Sequence, residues 1–107
     1  MNNTEELVLR VLRLYPEKQY DVSTICTGIN QLNIAEGNPI LTSLQETTKA
    51  CIALSGKEML FQAHPGDDYP YFVRLIVFYG ITKKGIDYIN ETHPLFQVFY
   101  SSPEVPA

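Results

Sequence analysis

The side chains capable of covalent or metal chemistry are few and scattered. Cys26 and Cys51 are the two thiols, and His64 and His93 the two imidazoles. Neither cysteine has a histidine or a base at a spacing that would activate it, and the four residues lie too far apart to read as a zinc set. Asp67 and Asp68 could be imagined as a general acid and base. Adjacent carboxylates beside Pro65 and Gly66 read more simply as a solvated loop tip. Gly80 and Gly85 have the spacing of a phosphate-binding loop, but the required lysine and hydroxyl do not follow Gly85. No catalytic constellation, cofactor site or metal site emerges, so the expectation is a protein that is not an enzyme.

Lys83 and Lys84 raise a different question. They follow Thr82, a good helix-capping residue, and so occupy the first turn of a helix, where the dipole disfavours positive charge. Free backbone N–H groups, the positive dipole end and two ammonium groups would converge there. Either the lysines extend into water, or the turn receives an anion such as a DNA phosphate or a partner's carboxylate.

Several elements must position these residues. Thr4, followed by Glu5 and Glu6, predicts a helix to about Tyr15, ended by Pro16. Its apolar residues, Leu7 to Leu9, Val11, Leu12, Leu14 and Tyr15, cover more than half the circumference, which suggests burial on more than one side. Asp21 predicts a second helix from Val22 to about Gln31, with Val22, Ile25, Cys26, Ile29 and Leu32 facing inward. Asn33 to Gly37 reads as a turn. Asn38-Pro39 predicts the start of a third helix, with Leu41, Leu44 and Thr48 inward and Thr42, Ser43, Glu46 and Lys49 outward. This helix is expected to give way near Lys49–Cys51, with a turn at Ser55-Gly56.

From there the period changes. Lys57 to Ala63 reads as a strand, His64 to Asp68 as a turn, and Tyr69 or Tyr71 to Tyr79 as a long strand apolar on both faces. Lys83 to Thr92 is the fourth helix, and Leu95 to Tyr100 a last apolar segment before a frayed tail. The division is one domain over 1–94 and an apolar C-terminal segment over 95–107. The two-faced strand and the broad stripe on the first helix point to a homodimer or to a protein partner, through the apolar hairpin and the first helix.

Composition bounds the function. The chain has 107 residues, 45% of them apolar and 19% charged, which is globular rather than disordered. The net charge of −4 and the lack of a basic tail argue against strong non-specific nucleic-acid binding. The polar, acidic opening does not read as a leader, and the longest apolar stretch, Tyr71 to Tyr79, contains Arg74 and is too short to span a bilayer. A cytoplasmic protein with reduced thiols and no membrane partner is expected.

Three helices, a hairpin and a last helix resemble the winged-helix branch of the helix-turn-helix superfamily, small bacterial or phage type. The motif Ile81-Thr82-Lys83-Lys84-Gly85, with Tyr79 before it and Tyr88-Ile89 after it, is similar to the Leu-Thr-x-x-Gly by which many such proteins leave the second wing strand. The resemblance implies an α+β winged helix in which Thr82 caps the last helix and Gly85 lets it approach its neighbour. It implies a small DNA-binding transcriptional regulator acting as a dimer, with double-stranded DNA as partner. Asn38, Thr42, Ser43, Gln45 and Lys49 are then candidate DNA contacts, with Arg74, Lys83 and Lys84 as phosphate partners. The alternative is a winged-helix module that binds protein rather than DNA. Acids at Glu46 and at the wing tip, Asp67 and Asp68, favour that alternative.

Overall fold

A computed structural model describes residues 1–94. The predicted C-terminal segment, Leu95 to Tyr100, lies outside the described residues. The helices are α1 (Asn3–Leu12), α2 (Val22–Ala35), α3 (Leu44–Gly56), α4 (Tyr71–Arg74) and α5 (Lys83–Thr92), and the strands are β1 (Tyr20–Asp21), β2 (Leu60–Ala63) and β3 (Phe78–Ile81). The sheet is antiparallel in the order β1-β3-β2. Leu60 pairs with Ile81 and Ala63 with Phe78, while Tyr20 pairs with Tyr79. The expected α+β order is present.

The helix α1 lies at the centre. Leu7, Val8, Leu9 and Leu12 are at most 4% exposed, packed with Ile25, Ile29, Cys51, Leu54, Tyr79 and Ile89. The part of its broad apolar arc from Leu7 to Leu12 is therefore consumed by α2, α3, α5 and β3 and is not a partner surface, while Leu14 and Tyr15 from the same arc remain exposed beyond the helix. Asn2, not Thr4, caps α1, accepting from the Glu5 N–H at 2.8 Å. The helix ends at Leu12 rather than Tyr15, and Leu14 and Tyr15 are exposed.

The start of the third helix also differs from expectation. Ser43, not Asn38, is its N-cap, in a reciprocal capping box with Glu46. The S-x-x-E signature was in the sequence, but Asn38-Pro39 offered a competing start. Tertiary contact excludes the earlier start, because the Thr42 N–H and carbonyl are bonded to the side chain of Asn30 and cannot join a helical ladder. With the start moved, the buried face becomes Thr47, Ala50, Cys51 and Leu54, while Leu41 and Leu44 are exposed. The apolar run Ala50 to Leu54 continues the helix, since a short apolar run does not distinguish a strand from a buried helix.

Ser55 and Gly56 belong to α3, which closes in a Schellman motif. Glu58 adopts φ 64°, its N–H bonds to Ser55 O, and the Met59 N–H bonds to Leu54 O, each at 3.0 Å.

The long strand expected from Tyr69 or Tyr71 to Tyr79 is absent. Residues 64–77 leave the ladder, and a single helical turn, α4, stands before the short strand β3. The β2 strand ends at Ala63, so residues 71–77 have no ladder partner. Their backbone bonds close locally instead, Val73 N to Pro70 O and Ile76 N to Val73 O. Gly85 behaves as expected. A Cβ there would lie 2.9 Å from Ile81 Cγ1 and closer still to the Met59 carbonyl oxygen, so α5 packs against the end of β3 and the Met59 backbone just before β2 only because that Cβ is missing.

Candidate nucleic-acid interface

The turn between α2 and α3 is built from amide side chains. Cys26, Asn30 and Asn33 recur along one side of α2. Asn30 Oδ1 accepts from the Thr42 N–H at 2.7 Å, and its Nδ2 donates to Thr42 O at 3.0 Å. Cys26 Sγ donates to the same carbonyl at 3.5 Å. Asn33, 3% exposed, donates to the Asn30 and Thr42 side chains, both at 3.4 Å, and its backbone carbonyl accepts from the Asn38 N–H at 2.8 Å. Gly37 supplies the positive φ of 78° that reverses the chain. A polar network with its partners in place favours one geometry, and here it fixes where Ser43 starts α3. Sequence reading missed Asn30 and Asn33. Their spacing of three on the Cys26 side of the helix was the available signal.

At about 100° per residue, the α3 face opposite Thr47, Ala50 and Leu54 is centred on Gln45, Lys49 and Ile52, with Leu44 and Thr48 on one flank. The side chains of Gln45 and Lys49 are exposed and make no hydrogen bond or ion pair with the described residues. Glu46 is turned back to the helix cap, where its Oε1 accepts from the Ser43 N–H at 3.0 Å. That bond holds its carboxyl below the usual carboxylate range. Glu46 stays exposed and charged, but its carboxylate is tied to the helix cap, and the nearby Lys49 charge also lowers its pKa.

The candidate residues fall into three groups. Asn38, Thr42 and Ser43 shape the turn: Asn38 Oδ1 accepts from the Ile40 N–H at 3.1 Å, and Ser43 accepts from the Glu46 N–H at 3.1 Å. Gln45 and Lys49 come together on the outward face. Arg74 lies in α4, and Lys83 and Lys84 open α5, away from that face in sequence and on different elements. Lys83 is paired with Asp87 at 2.8 Å, which raises its pKa, and both side chains are largely exposed. Such a pair contributes only a few tenths of a kcal/mol. The Lys84 side chain is exposed and makes no hydrogen bond or ion pair with the described residues.

Most other bases are already engaged. Arg10 pairs with Glu36 across α1 and α2, and Lys57 with the buried Glu5 at 2.9 Å. Arg13 donates to Ile89 O at 3.3 Å, Asn90 Oδ1 at 3.1 Å and His93 O, closing the C-terminal end of α5. Burial, and then Arg10 nearby, lower its pKa. Glu6 completes this seam, meeting His93 Nε2 at 3.0 Å and the Tyr88 hydroxyl at 3.4 Å.

The residues that suggested other chemistry are separated. Cys26 and Cys51 are both buried, and burial pushes the Cys51 thiol up to about 12. No group of three potential metal ligands occurs among the described residues. No helix among them is long and apolar enough to cross a membrane.

A helix pair clamped at its turn, a second helix presented outward, and an antiparallel sheet leading into a last helix define the winged-helix fold. Solved structures of transcriptional regulators share this fold. A PadR-family transcription regulator from hypervirulent Clostridium difficile superposes with a TM-score of 0.62 at 14% identity, covering 97% of this chain and 94% of its own. A transcriptional regulator from Clostridium thermocellum gives 0.61 at 14% identity, with 95% and 84% covered. A double mutant of Lactococcus lactis ZitR gives 0.60 at 18% identity over 97% of this chain, which spans 58% of the ZitR chain. No protein-family model and no curated protein matches the sequence.

Proposed function

We propose that this protein is a DNA-binding transcriptional regulator that acts as a cytoplasmic dimer and inserts α3 into the major groove. The observation that carries this reading is the outward face of α3. Gln45 and Lys49 stand free on a helix whose start is locked by the Asn30–Thr42 clamp and whose only acid, Glu46, is folded into the cap. The fold's likeness to transcriptional regulators over nearly the whole chain supports the same reading. Lys49 and Lys84 serve as phosphate partners, with Arg74 and Lys83 joining them. Asn38, Thr42 and Ser43 act by setting the helix rather than by touching bases.

With so many bases engaged internally, electrostatic affinity is small. Four phosphate contacts per protomer, from Lys49, Arg74, Lys83 and Lys84, correspond to a salt slope of at most about −3.6. Dimerisation then supplies the remaining affinity by doubling the contacts. Tyr69, Tyr71, Phe72 and Leu75 are each more than half exposed and supply an apolar surface for the second protomer. The same residues favour the second reading, a protein-docking module that does not bind DNA.

A fluorescence-anisotropy titration against mixed-sequence duplex at low salt separates the two readings. Binding in the micromolar range that weakens with salt is expected. The absence of binding at hundreds of micromolar, together with no enrichment from a random duplex library, refutes the regulator reading. Replacing Lys83 and Lys84 with alanine should flatten the salt slope by up to about two contacts and leave sequence preference intact.

A further inference from the structure

We infer that α3 reads A·T-rich major groove, with aliphatic side chains against thymine methyl groups and Gln45 on an adenine edge. The inference rests on the regulator reading and names the class of sequence that this face takes. Ile52 shares the outward face with Gln45 and Lys49, Leu44 stands on its flank, and Ile40 and Leu41 lie in the segment just before the helix; they are 57%, 54%, 75% and 55% exposed, so water covers them in the free protein. Ile40, Leu41 and Leu44 lie at the entry of the helix, whose first turns reach base edges in helix-turn-helix proteins. The apolar group that a base pair presents in the major groove is the thymine C5 methyl. The carboxamide of Gln45 offers one donor and one acceptor, which match adenine N6–H and N7.

The chemistry for G·C pairs is sparse on the same face. Neither α3 nor the turn before it carries an arginine for guanine O6 and N7, and Lys49 is its single base. Glu46, the carboxylate of the helix and the usual acceptor for a cytosine amine, has Oε1 engaged by the Ser43 N–H. The Thr48 hydroxyl donates to Leu44 O at 2.9 Å, so its hydroxyl proton is already engaged.

The test uses the full chain. A random duplex library is enriched on the protein, and the selected duplex is remade with deoxyuridine in place of thymine, which removes only the methyl group. Enriched sites should be A·T-rich in each half-site, and deoxyuridine should weaken binding about fourfold per contacted methyl, the effect of one buried CH₂. In Leu44→Ala that penalty should vanish at one position, while Gln45→Ala should relax an adenine preference by roughly fivefold or more. Both residues are exposed, so thermal melts of the variants should match the parent protein. Enrichment of G·C-centred sites, or binding indifferent to deoxyuridine, overturns the inference and leaves the regulator reading standing. Failure to enrich or bind any duplex overturns both.

Discussion

Replacing Gly85 with alanine tests whether α5 is seated as the structure shows. Gly85 is the third residue of α5, and its N–H is bonded to Thr82 Oγ1 at 3.1 Å. A new Cβ would lie 2.9 Å from Ile81 Cγ1 and 3.2 Å from the Met59 carbonyl carbon, with the carbonyl oxygen nearer still. That oxygen cannot retreat easily, because it accepts from the Thr82 N–H at 3.0 Å. Nor can α5 tilt freely, since the fully buried Ile89 and the Arg13 bonds hold its far end. Overpacking of this kind costs about 1–3 kcal/mol, against a gain of up to about 1 kcal/mol from alanine in a helix. The net expectation is destabilisation by about 1–2 kcal/mol and a Tm lowered by roughly 5–10 °C. Gly56→Ala is the control, because a Cβ there meets nothing within 4 Å. It should be neutral or stabilise by up to about 1 kcal/mol. Urea denaturation with linear extrapolation measures both. A Gly85→Ala protein as stable as the parent, beside a well-behaved Gly56→Ala, would refute the close approach of α5 to Met59 and Ile81.

Other expectations concern the helix ends, the core and the assembly. Glu58→Gly should raise stability by a few tenths to about 1 kcal/mol in urea melts, because glycine relieves the left-handed conformation at φ 64°. The Glu46 carboxyl is held below its ordinary pKa, so its stabilisation is fully present above the unfolded value and is lost as pH falls through the lower folded value. Glu46→Gln should remove that part of the acid dependence, and an unchanged acid-unfolding profile would contradict the capping box. Cys51, 0% exposed with its thiol pKa raised to about 12, should react with a thiol reagent only on unfolding. Light scattering should give about twice 12.1 kDa, and Phe72→Asp, at a position 71% exposed, should give a folded monomer.

The sequence by itself determined the local and periodic features. The inward stripe of α2 and the Thr82–Gly85 entry to α5 were legible because capping and amphipathic spacing act over a few residues. The approach of Gly85 to its neighbour followed from the same motif. What the tertiary structure decided were choices between competing local solutions. Asn38-Pro39 read as the helix start, whereas Ser43 and Glu46 cap the helix in the fold, because the Asn30 side chain takes the Thr42 backbone out of the ladder. That shift reversed the faces of α3, exposing Leu41 and Leu44 and burying Thr47. Residues 71–77 had the composition of a strand, but β2 ended at Ala63 and left them no partner. The two-residue strand β1 was too short for any period to announce, and it exists only because β3 lies beside it. The role of Glu46 was likewise undecided in the sequence, since a carboxylate's partner depends on which backbone N–H the fold brings to it.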